Sequence, residues 1–200
     1  VAVFEADCFW LNETHLVGRA LDNRMGGFMI AEVARQLSEN KDKLPFTVYL
    51  VNSVQEEIGL RGAEMISRRL QPDVAIITDV THDTCSPLYN KKQQGDCKCG
   101  KGAVVTYGPA VQNNLLQSII GVAKSNEIAI QRNAVSRSTG TDTDSFAYSG
   151  MGVASALISL PLKYMHTTVE TVHMDDVNSC IQLMYQTVKS LKAGQTFNYI

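Results

Sequence analysis

The 200-residue chain has no apolar run approaching the roughly 20 residues that span a bilayer; Val153 to Leu162, among its longest, is about strand length. No membrane partner is therefore expected. Blocks of lysine or arginine are missing too, and the formal net charge is -2. Phosphate backbones call for a concentrated basic surface, so nucleic acid is not an expected partner either. No signal peptide opens the chain: Val1-Ala-Val-Phe-Glu-Ala-Asp7 lacks a basic start and soon carries acid. Internal repeats and low-complexity tracts are absent. The five cysteines, Cys8, Cys85, Cys97, Cys99 and Cys180, are odd in number and scattered. This argues against a disulfide framework and for a reducing, cytoplasmic setting. Cys97-Lys-Cys99 is at most half of a metal clip, because a structural zinc site usually wants two Cys-x2-4-Cys pairs. Free thiols in a polar loop are the expectation there. The first residue is not methionine, and the chain opens inside an extended-looking apolar segment. That reads as a piece of a longer protein.

What is present alternates strand with helix. The length supports one well-buried core, so residues 1–200 are read as a single domain portion. Asp22-Asn-Arg-Met-Gly-Gly27 opens a helix with Met25, Met29, Val33 and Leu37 about four apart, and Asp22 is placed to cap it. Phe46 to Val51 reads as a buried strand, Gly59 to Leu70 as a helix, and Asp73 to Asp79 as a second strand. Thr81 to Gly102 is polar and irregular, with Pro87, Gly95, Gly100 and three cysteines. Then follow a strand at Ala103 to Tyr107, a helix at Asn113 to Ser125 and a strand near Ile128 to Ala134. Ala154 to Leu160 is another strand, and the last helix runs from about Asp175 to Leu191. The implied fold is α/β, a three-layer sandwich of a mixed, mostly parallel sheet with helices on both faces. In such sheets the ligand site lies beyond the carboxyl ends of the strands.

Several acids and one imidazole fall at those ends. Asp22 begins a helix, Glu56 and Glu57 follow the strand ending near Asn52, Asp79 ends the next strand, and His166 follows Leu160 by a short connection. Divalent zinc takes oxygen and nitrogen donors of these types. Two ions about 3.5–4 Å apart need a carboxylate between them to offset their repulsion, and a water bridging them loses a proton easily. A second carboxylate that is not a ligand must then take that proton. Adjacent glutamates suit the split, since their side chains point differently. Each residue also has a plainer reading: Asp22 as a helix cap, Glu56-Glu57 as a solvated pair, Asp79 as a loop-starting aspartate, His166 as a hydrogen-bonded structural histidine. Composition and spacing alone leave an α/β hydrolase-like domain with a metal site open.

Five ordered words carry further information: Ala20-Leu-Asp-Asn-Arg-Met-Gly26, Val54-Gln-Glu-Glu-Ile-Gly-Leu-Arg-Gly-Ala63, Pro72-Asp-Val-Ala-Ile-Ile-Thr-Asp-Val80, Gly140-Thr-Asp142 and Pro161-Leu-Lys-Tyr-Met-His166. In this order, from about Gly18 to Leu191, the chain resembles the glutamyl/tetrahedral aminopeptidase family of dinuclear zinc peptidases. The resemblance implies that two divalent ions, zinc or cobalt, are bound, with Asp22 as the bridging ligand and Glu57, Asp79 and His166 as further ligands. It implies Glu56 as general base, Asp142 as a substrate-pocket residue, short peptides with a free amino terminus as substrates, and a homo-oligomer. A further family ligand, the histidine of an upstream His-x-Asp word, and an inserted dimerisation domain precede the region where this chain begins. The ion shared by Asp22 and Asp79 is thus expected to lack its histidine, with His15 and His82 as poor substitutes. Lys163 stands where the family usually has arginine, and Thr143 where it usually has alanine. Two other functions stay open at this point: a related metal-dependent deacylase, and a non-catalytic assembly module.

Overall fold

A computed structural model describes residues 2–3, 7–41, 43–86 and 89–197. Pro87 and most of the opening apolar segment lie outside them. In chain order the elements are β1 (Cys8–Trp10), β2 (His15–Gly18), α1 (Leu21–Glu39), α2 (Arg61–Leu70), β3 (Val74–His82), α3 (Lys91–Gln94), β4 (Ala103–Tyr107), α4 (Asn113–Ser125), β5 (Ile130–Ala134), α5 (Asp142–Ala147), β6 (Ala154–Lys163), β7 (Glu170–His173) and α6 (Met174–Ser190). The strands form one mixed sheet. β3 pairs with β6 and β4 with β5 in parallel, while β1 with β2, β2 with β7, β7 with β6 and β6 with β4 are antiparallel.

Two layers of helix sandwich this sheet. The apolar stripes of α1 (Met25, Met29, Val33), α4 (Leu115, Ile119, Val122) and α6 (Val177, Ile181, Met184) pack on Ala156, Ile158, Leu160 and Leu162 of β6. On the opposite face Ala63 of α2 and Phe146 of α5 meet Ala75 and Ile77 of β3. The period-2 alternation of β3 divides its residues between the two layers and puts Asp79 on the face shared with Ala75 and Ile77. The expected α/β layering is therefore what the chain forms. Among the described residues, no helix is long and apolar enough to cross a membrane.

Three local expectations need correction. Phe46 to Val51 is not a buried strand: residues 47–53 carry no ladder, and Tyr49 and Leu50 are exposed. A strand exists only where a neighbour offers hydrogen bonds. The nearest free edge, that of β3, is separated from this segment by a cleft of about 1080 Å³ lined by Val48, Leu50, Asn52, Ala75, Ile77 and Asp79 among others. Second, β6 does not stop at Leu160 but runs through Pro161 to Lys163. Proline cannot donate to a ladder. Pro161 falls where the second edge of β6 passes from β4, which pairs Ile158 and Ser159, to β7, which pairs Leu162 and Lys163. The longer strand leaves His166 only a short turn beyond the sheet. Third, Asp22 does not cap α1. Its φ/ψ of -79/110 is non-helical, as is Asn23 after it. Asn23 takes over, accepting the Gly26 N–H on Oδ1 (2.8 Å) and donating from Nδ2 to the Thr78 carbonyl (3.1 Å).

Candidate metal centre

The loop bearing the glutamate pair is shaped by backbone hydrogen bonds on both sides. Gly59 and Leu60 donate to the Glu56 carbonyl, and Gly62 donates to the Val54 carbonyl, all at 3.0 Å. Gly62 is needed for close approach: a Cβ there would lie 2.3 Å from the Val54 oxygen and 2.6 Å from its nitrogen. The word Gln-Glu-Glu-Ile-Gly-Leu-Arg-Gly thus has a mechanical reading, in which α2 is pressed backbone-to-backbone against the loop it follows. The loop half-buries Glu56 and leaves Glu57 exposed, so the neighbours do point into different surroundings.

Three side chains converge in front of the sheet. His166 Nε2 lies 3.0 Å from Asp22 Oδ2 and 3.6 Å from Glu57 Oε2, and one donor atom from each residue falls within 4.8 Å of the others. A small divalent ion bound at about 2.0–2.2 Å by tetrahedral donors holds them roughly 3.3–3.6 Å apart. Two carboxylates and an imidazole at this spacing fit such an ion. The backbone reaches these positions through uncommon conformations: Ala20, Gln55, Tyr164 and His166 all have φ between 57° and 62° without being glycine. Such conformations cost about 1–3 kcal/mol each and tend to cluster at functional sites.

Asp79 stands apart from that trio. It is buried, and its Oδ1 accepts the N–H of its own neighbour Val80 at 2.8 Å. Asp142, at the start of α5, accepts a short hydrogen bond from Ser53, while its Oδ1 is buried with no partner among the described residues. The acids nevertheless feel one another. Burial first, then Asp142, Glu57 and Asp22, push Glu56 up to about 7. Burial, together with Glu56, Asp22 and Asp142, pushes Asp79 up to about 7 against the pull of its Val80 hydrogen bond. Burial and Glu57 raise Asp22, which His166 partly offsets, and burial raises Asp142. A knot of carboxylates that oppose each other's ionisation is a region of negative potential, which a cation relieves.

The other histidines are engaged elsewhere. His15 stacks edge-on against His173 with ring centroids 4.7 Å apart, and His82 Nδ1 lies 2.8 Å from the Tyr89 hydroxyl. Cys97 is buried and its thiol is pushed up to about 12 by burial; burial raises Cys99 further, and its thiol donates to the Pro161 carbonyl. Burial thus disfavours a free thiolate at either position. The sequence reading passed over Asn23, Ser53 and Glu170. Asn23 is a small polar residue next to the named ligand Asp22, and Ser53 one whose partner, Asp142, is distant in the chain. Glu170, buried and distant in the chain, carries no local pattern that marks it.

A layered α/β fold with an acidic, cation-competent pocket beyond its strand ends is the architecture of an α/β hydrolase-like domain. Residues 1–183 match the model of the M42 glutamyl aminopeptidase family, and the chain belongs to that family. It is 38% identical to a lysyl aminopeptidase of Pyrococcus furiosus, over 91% of this chain and 51% of that protein. The structure is similar to that of a TET aminopeptidase from a marine sediment archaeon of the Thaumarchaeota, with TM-score 0.88, 28% identity, and 94% and 53% of the two chains covered. It is also similar to Pyrococcus horikoshii TET1 peptidase, which can assemble into a tetrahedron or a large octahedral shell (TM-score 0.79, 29% identity, 94% and 54% covered). The chain spans about half the length of the relatives it matches.

Proposed function

We propose that this chain is the part of a metal-dependent aminopeptidase that holds most of the metal ligands and the general base. The observation that carries the reading is the convergence of Asp22, Glu57 and His166 beside a half-buried Glu56. Asp22, Glu57 and His166 would hold one divalent ion, zinc or cobalt. Asp22 and Asp79 would contribute to a second, together with a histidine from a segment outside this chain. When bound, the ions supply Lewis-acid polarisation of a carbonyl and lower the pKa of an attacking water. Glu56 accepts the proton of that water on its carboxylate and delivers it to the leaving amine. Asp142, oriented by Ser53, lines the peptide end of the cleft.

The gap between residues 47–53 and the free edge of β3 supports the need for a further segment. It has a backbone on one side without a ladder and a strand edge on the other. An additional strand there would extend the sheet beside β3. A homo-oligomer and a cytoplasmic setting belong to the same reading. The first rests on the assemblies of the TET1 relative, the second on the five free cysteines.

Glu56→Gln in the complete protein tests the mechanism. Turnover of aminoacyl anilides should fall by at least about 10²–10⁴-fold while two ions remain bound. Undiminished turnover rules out Glu56 as the base. Preference for acylated amino acids over anilides would favour a deacylase. Failure to bind any metal would favour an assembly module.

A further inference from the structure

Glu170 opens β7, opposite Gly18 of β2, and is only 2% exposed. Both of its carboxylate oxygens accept hydrogen bonds from backbone amides. Oε2 accepts the N–H of Asp22 at 3.0 Å, and Oε1 accepts the N–H of His166 at 2.7 Å. Those amides belong to two of the three donor residues, and they arrive from opposite ends of the chain. Regular secondary structure holds neither of them. Asp22 lies in the irregular entry to α1, and His166 sits at φ 62 in the turn between β6 and β7. A left-handed conformation is disfavoured for a residue with a Cβ, so something must over-determine it. A charged acceptor makes stronger hydrogen bonds than a neutral one, and two of them from one rigid, buried group fix a separation as well as two positions.

We propose that Glu170 is the positioning residue of this centre: one carboxylate grips the amides of Asp22 and His166 together and so sets the spacing of their side chains for a shared cation. The idea rests on the metal reading above. It predicts that loosening the grip weakens metal binding before it unfolds the chain. Carboxylates behind ligands commonly act on affinity in this way, and their loss costs about 10–100-fold.

Glu170→Gln keeps the size but has one acceptor oxygen, and it turns an amino group toward the other N–H. Co²⁺ titration of the 200-residue chain, followed by visible absorption and calorimetry, should show the dissociation constant raised about 10–100-fold. Far-UV circular dichroism should be unchanged. Glu170→Asp keeps the charge but is too short to reach both amides, and should lose affinity as well. Wild-type affinity in either variant, within twofold, overturns the proposal, even if the urea midpoint has dropped; that pattern would show a merely structural residue. A third measurement does not depend on metal or on the variants folding. In the metal-free wild-type chain the amide protons of Asp22 and His166 should be shifted well downfield and protected from exchange. An ordinary shift and fast exchange at either amide refutes the grip. If wild-type protein binds no Co²⁺ while both amides are protected, the metal reading fails and the grip stands.

Discussion

Gly62→Ala separates the placement of the glutamate loop from the stability of the fold. The glycine has no unusual φ and sits in the first turn of α2, so its backbone accepts alanine. Alanine is the better helix former by up to about 1 kcal/mol. The added methyl would lie 2.3 Å from the Val54 oxygen and 3.1 Å from its carbonyl carbon. Restoring ordinary contact requires the carbonyl to retreat by about 1 Å or more. That movement stretches the Gly62-to-Val54 hydrogen bond, now 3.0 Å, and drags Glu56 and Glu57 with it. Overpacking of this kind costs about 1–3 kcal/mol, offset in part by the helix gain. Net destabilisation should therefore be about 0–2 kcal/mol by urea unfolding with metal chelated. Function should suffer far more, since a displacement near 1 Å at reacting groups costs roughly 10²-fold. The expected signature is a nearly normal unfolding midpoint with Co²⁺ affinity weakened and anilide hydrolysis by the complete protein down about 100-fold. Native affinity and turnover would refute the claim that this contact positions the pair.

Two further outcomes follow from the acids. Glu56 and Asp79 keep their protons up to about pH 7, against ordinary values of 4.5 and 3.8. Between those limits the folded chain binds more protons than the unfolded one, so stability must fall as pH rises through the window. Melting temperatures of chelator-treated protein should decline from pH 5 to 8, and a divalent ion should restore them; a rise with pH would contradict the assignment. Asp176, fully buried, accepts the N–H of Gly100 and of Gly102 at 2.6 Å each. Asp176→Asn should cost about 1–3 kcal/mol in urea unfolding, because one buried N–H then faces a donor. A loss below 0.5 kcal/mol would show that water replaces the contact.

How much of this was legible in the residues depends on the range of the interaction. The four-residue recurrence of Met25, Met29 and Val33 marks a helix wherever it is placed, and α1 buries that stripe. The apolar run from Ala154 likewise marks a strand, and β6 is buried nearly throughout. Donor types are a property of side chains, so Asp22, Glu56, Glu57, Asp79 and His166 could be read as possible ligands, while their roles were implied only by the resemblance of the words around them to the aminopeptidase family. Only the tertiary structure decided which donors meet, bringing three of them together and leaving Asp79 apart in the same field. It alone denied Phe46 to Val51 a ladder, carried β6 through Pro161 and assigned the helix-entry hydrogen bonds to Asn23 rather than Asp22. It alone set Glu170 behind two donors at once. Periodicity and residue type act over a few neighbours, so they can be read along the chain. A ladder partner, or a carboxylate shared by amides 144 positions apart (166 − 22), exists only once distant segments are packed side by side.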